Sequence, residues 1–187
     1  MELQHINVKV FFEDGCGPDL ESFINTFHAW IQDDKCDELL VDVADYRHVR
    51  GGPDVLLVAR EADYCIESSD DRRGLVYNRK AAVSGSIPER IGQAMSAALR
   101  ACKLLESEVD GVQFSRRDFE LMVNDRALAP NTEEVREALR PEFDSFLSST
   151  FDGNYTLERE EDPRRRLAAR VRLEKPFDLD ATVSKLG

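Results

Sequence analysis

The period of the apolar residues changes along this chain, and that change limits the folds open to it. Residues 6–13 (INVKVFFE) alternate before closing on Phe11 and Phe12, the pattern of a β-strand. From Leu20 the spacing switches to threes and fours. Leu20, Phe23, Ile24, Phe27, Trp30 and Ile31 make one stripe, with Glu21, Asn25, Gln32 and Asp33 on the wet side of a helix. A strand and a helix that are each apolar on one side must share a core, which points to a layered α+β fold.

The rest of the chain keeps switching in the same way. Strands are expected over 39–44, 55–66, 75–80 and 119–124, and a hairpin over 155–160 and 165–174 that turns the Leu167, Ala169, Val171 and Leu173 side chains inward. Between them, Asp14-Gly15-Cys16-Gly17-Pro18, Gly51-Gly52-Pro53 and Asp70-Asp71-Arg72-Arg73-Gly74 mark turns. Pro18 suits the first turn of the first helix. Ser86 and Glu89 have the capping-box spacing, with Pro88 in the first turn, and open a helix over 86–107 striped by Ile91, Met95, Ala98, Cys102 and Leu105. Asn131 and Glu134 repeat that spacing for a helix through Leu139, which Pro141 is expected to kink or break.

In order of elements the halves are alike: strand, helix, strand, strand. The expected fold is a single α+β domain over 1–187, a mainly antiparallel sheet with helices on one face. Its pseudo-repeats are two βαββ-like halves, 5–80 and 118–174, linked by the helix at 86–107.

With 187 residues, 42% of them hydrophobic, the chain has enough apolar material to fold without staples. Its net charge of −12 repels phosphate backbones and anionic lipids, so neither nucleic acid nor membrane is expected as a partner. Cys16, Cys36, Cys65 and Cys102 contain no C-x-x-C pair, which argues for free thiols and against a zinc site. No signal peptide is visible in residues 1–10, and no run approaches the length of a membrane span. A cytoplasmic setting follows as the expectation.

Chemically, the segment 42–54 is the densest. Asp42, Asp45, Tyr46 and His48 lie near a strand end, with Glu61, Asp63 and Tyr64 on the next strand. If Asp42, Asp45 and Asp63 converge on His48, they form a minimal acid–base or metal-binding set; otherwise the acids cap turns and face water. Gly51-Gly52-Pro53 lacks the Gly-Lys-Ser/Thr of a P-loop, and no helix opens there for a dinucleotide, so no cofactor is expected. Cys16 precedes a helix, where a thiolate is stabilised, but Glu13, Asp14 and Asp19 crowd it. Arg164, Arg165, Arg166, Arg170 and Arg172 form a basic cluster, in which Arg170 and Arg172 are expected to pair with Glu158 and Glu160 across the hairpin. The tail, with Phe177, Leu179, Val183 and Leu186, is expected to dock on the domain or on a second copy, which makes a homodimer the expected oligomer.

The block VDVADYRHVRGGPDVLLVAREADY, residues 41–64, resembles a segment of uncharacterised bacterial cytoplasmic proteins. That resemblance implies a bacterial setting and brings no activity with it. From the residues alone, the leading reading is a non-enzymatic binding or regulatory module for a protein or small ligand. The alternative is an enzyme using acid–base or metal-assisted chemistry at the loop 42–54.

Overall fold

In a computed structural model, which describes residues 2–49, 52–69 and 72–187, the one-sided strands pair into a single antiparallel sheet. The elements run β1 (Ile6–Phe12), α1 (Leu20–Asp33), β2 (Leu40–Asp45), β3 (Val55–Ala59), β4 (Ala62–Glu67), β5 (Gly74–Arg79), α2 (Ile87–Glu108), β6 (Phe114–Val123), α3 (Glu133–Thr150), β7 (Tyr155–Arg159), β8 (Leu167–Leu173) and α4 (Leu179–Leu186). The eight strands lie in the order β2-β3-β4-β5-β1-β6-β8-β7. β1 therefore sits at the centre, with β6 beside it. Each is followed by a helix, then by an edge strand, then by strands that return toward the middle; the first half carries the extra hairpin β4–β5.

All four helices cover one face. Phe23, Phe27 and Trp30 of α1, Ile91, Met95, Ala98 and Cys102 of α2, and Leu139, Phe143 and Phe146 of α3 pack on Val8, Val10, Tyr77, Leu121 and Val171 of the sheet. Full burial of each large side chain contributes roughly 1.5–3 kcal/mol. Trp30 also donates its indole N–H to Glu108 Oε2 at 2.6 Å, tying the ends of α1 and α2. Leu167, Ala169, Val171 and Leu173 face this core as the alternation requires. The tail docks on its own domain: α4 lies against α2 and α3, and Gly92 leaves the gap into which Leu186 and Phe146 fit.

Local chemistry explains where the elements begin. Ser86 and Glu89 close a reciprocal capping box at α2. Asp19 caps α1, accepting the Ser22 N–H, so Pro18 lies before the helix rather than in its first turn. Thr132 caps α3, and Asn131 serves elsewhere: it is buried and its amide donates to the Glu160 and Asp162 carbonyls. Pro141 does not break α3, which runs unbroken from Glu133 to Thr150. The apolar run 55–66 is two strands, with a tight turn at Arg60-Glu61 between them. Gly51, Asp70 and Asp71 of the expected turns lie outside the described residues. Among the described residues no helix is long and apolar enough to cross a membrane.

Candidate functional site on the open face of the sheet

Among the described residues no helix covers the second face of the sheet, yet its centre is buried. Asn7, Lys9 and Phe11 of β1 point this way, and each is 5% exposed or less. Around them Leu56, Cys65, Val76, Met122 and Ala168 form a small second apolar cluster. Strand register then lays charge across it: Val76 faces Lys9, Lys9 faces Glu120, Glu120 faces Arg170, and Arg170 faces Glu158.

A lysine with 1% exposure survives only when paired. Lys9 Nζ donates to Glu67 Oε1 at 3.0 Å and to Ser69 Oγ at 2.9 Å, and that hydroxyl donates to the same carboxylate at 2.6 Å. These bonds pin the segment after β4 to the sheet. Gly74 brings the chain back, where a Cβ would come within 2.5 Å of the Val10 carbonyl and 3.2 Å of Lys9 Cε. Arg72 is tied to Ser69, its N–H donating to the Ser69 carbonyl at 3.2 Å.

Arg72 lies over the Phe11 ring, its Cζ 4.2 Å from the centroid, and Arg170 approaches the same ring to 5.2 Å. Both reach toward Asp118, at 3.9 and 3.8 Å, but Arg172 Nε already donates to that carboxylate at 2.9 Å. Arg170 stands 4.0 Å from Glu158. These separations are too long for hydrogen bonds. Among the described residues neither the Arg72 nor the Arg170 side chain donates one, and Arg170 Nε is buried with no acceptor. Burial, then the neighbouring Arg170 charge, hold the Arg72 guanidinium below its ordinary pKa. Together Lys9, Phe11, Ser69, Arg72, Arg170, the acids Glu120, Glu158 and Glu160, and Arg159, whose guanidinium pairs with Glu133 and Glu137, line an open recess of about 190 Å³. Two guanidinium forks, fixed on one aromatic floor and facing carboxylates, can hold a planar anion and a neighbouring cation at once.

The chain matches no family model and no curated protein in sequence.

The residues singled out in the sequence lie elsewhere. Asp42 is exposed on the edge strand β2, its carboxylate accepting the Val43 N–H. Asp45 accepts a forked pair of bonds from Arg47, which hold its pKa down to about 2. His48 is exposed in the turn after β2. Asp63 is buried and holds Lys80 Nζ at 2.6 Å. Asp42 and Asp63 flank Val58 on the open face, whereas Asp45 sits opposite Val55, which belongs to the helix-side core. Asp45 and Asp63 are thus on opposite faces, and the four groups do not gather. Among the described residues no three His, Cys, Asp or Glu side chains form a group that could hold a metal ion. All four cysteines are free thiols; burial pushes Cys36 up to about 12 and Cys102 well above its ordinary value. In the basic cluster, Arg170 does face Glu158, but Arg172 turns to Asp118 and Glu160 to Arg165.

One sign of the cluster around Lys9 was present in the sequence. Lys9 interrupts an otherwise apolar strand, and a charge there needs a partner on the neighbouring strands. Nothing in the sequence names Glu67, Ser69 or Arg72 as that neighbourhood.

Proposed function

We propose that this chain is a binding module for a small charged molecule, and that the recess over Phe11 is its binding site. The observation that carries this reading is the pair Arg72 and Arg170, both stacked on Phe11, whose guanidiniums donate no hydrogen bond to any acceptor among the described residues. Other guanidiniums of the chain donate to carboxylates or carbonyls, as Arg172 does to Asp118, Arg47 to Asp45 and Arg79 to the Ala81 carbonyl. The volume supports a small ligand: about 190 Å³ is near six waters' share of liquid and below the usual range for nucleotide- or drug-sized sites. Binding without turnover is the reading favoured over catalysis, because the Ser69 hydroxyl that lines the recess is committed to Glu67 and Lys9.

A thermal-shift screen of the full chain against small charged metabolites tests this. A ligand present at about a hundred times its Kd should raise Tm by about 5–10 °C in a chain of this size. The same compound should do little for Arg170→Gln and should be recovered chemically unchanged. Hits that Arg170→Gln leaves intact would move the site elsewhere, and a compound recovered altered would make the chain a catalyst.

A further inference from the structure

The two walls of the recess differ in sign. On one stand Arg72 and Arg170, cations that no described carboxylate approaches closer than 3.8 Å. On the other is Glu158, 63% exposed in its side chain, whose ion-pair partner is Arg170 at 4.0 Å. A purely anionic ligand would gain the forks but would meet the exposed Glu158 carboxylate, in a protein whose net charge is −12. A purely cationic ligand would meet the two guanidiniums. A molecule with both charges avoids both penalties and crosses the negative field of the protein without net repulsion.

Resting on the binding reading above, we infer that the recess takes a free amino acid, its carboxylate bridging the Arg72 and Arg170 forks above Phe11 and its ammonium on Glu158. The planar carboxylate accepts from two guanidiniums that now repel each other. Because Glu158 lies across β7–β8 from Arg170, the ammonium must sit close to the carboxylate, as it does in an α-amino acid. Lys9 is a positioning residue. It makes no contact with the ligand and holds the Glu67–Ser69 segment so that Arg72 stays over the ring.

Isothermal titration calorimetry of the full chain with each of the common free amino acids is the direct test. N-acetylated and methyl-ester forms of the best binder, acetate and inorganic phosphate serve as controls. At least one amino acid should bind with a Kd of about 1 mM or tighter, and blocking either end should weaken it by about tenfold or more. Arg170→Gln and Arg72→Gln should each weaken it to a similar degree, with folding checked by circular dichroism, whereas Lys103→Gln, on the far side of α2, should not. Acetate or phosphate binding as tightly as any amino acid, in a manner Arg170→Gln weakens, would overturn the zwitterion and leave the binding site standing. If no compound of any charge depends on Arg170, both this inference and the binding reading fail.

Discussion

Replacing Lys9 by methionine removes a charge buried beneath the open face while keeping the length and apolar stem of the side chain. The ammonium is 1% exposed and its two close partners are Glu67 and the Ser69 hydroxyl. Removing one member of a buried pair costs about 3–5 kcal/mol when the survivor stays buried and uncompensated. Glu67 is 18% exposed and keeps the Ser69 hydroxyl, so it can recruit water. The expected loss is therefore about 2–3 kcal/mol. Lys9→Met/Glu67→Gln removes the stranded charge and should recover about half of that, giving a coupling of about 1–2 kcal/mol. Urea unfolding followed by circular dichroism reads both, as a lower midpoint at unchanged m-value. A Lys9→Met variant within about 0.5 kcal/mol of the parent would refute the reasoning, since the ammonium would then anchor nothing.

Gly74→Ala should lose about 1–3 kcal/mol, because a Cβ placed 2.5 Å from the Val10 carbonyl forces β5 away from β1; parental stability in urea would show that the contact relaxes freely. Burial, and then the Glu38 carboxylate to which its hydroxyl donates, raise the Tyr77 pKa to about 12. An unfolded tyrosine ionises near 10, so this contribution is whole below about pH 10 and is lost as pH rises toward 12. Tyr77→Phe should flatten part of that alkaline decline in a pH series of unfolding curves, and an unchanged slope would contradict the assignment. Among the thiols, Cys16 should react first with a maleimide at neutral pH, because burial holds Cys36 protonated to about 12 and Cys65 and Cys102 are enclosed. A fast phase that survives Cys16→Ser would be inconsistent with that order.

The helices were legible because their signals are local. The stripe from Leu20 to Ile31 and the Ser86–Glu89 box specify α1 and α2 within one or two turns of chain. Where two adjacent residues could both cap, as at Asn131 and Thr132, local chemistry could not choose; the buried bonds of Asn131 to the 160–162 loop decide it. The hairpin β3–β4 was read as one strand because its turn, Arg60-Glu61, carries none of the residues that usually mark a turn. The recess was hidden for a different reason. Lys9 and Arg72 are 63 positions apart and Arg72 and Arg170 a further 98, and only the pairing of β1 with β5 and β6, and of β6 with β8, brings them together. The acids near His48 were prominent in the sequence, but strand alternation sends Asp45 and Asp63 to opposite faces.

Chemical-shift mapping with the tightest-binding amino acid tests the central claim most directly. On titration into the isotope-labelled chain, the amides of Lys9, Phe11, Arg72, Glu120 and Arg170 should shift together and saturate on one curve. Shifts gathered instead in the groove between α2, α3 and α4, around Gly92, Ser149 and Lys185, would contradict it.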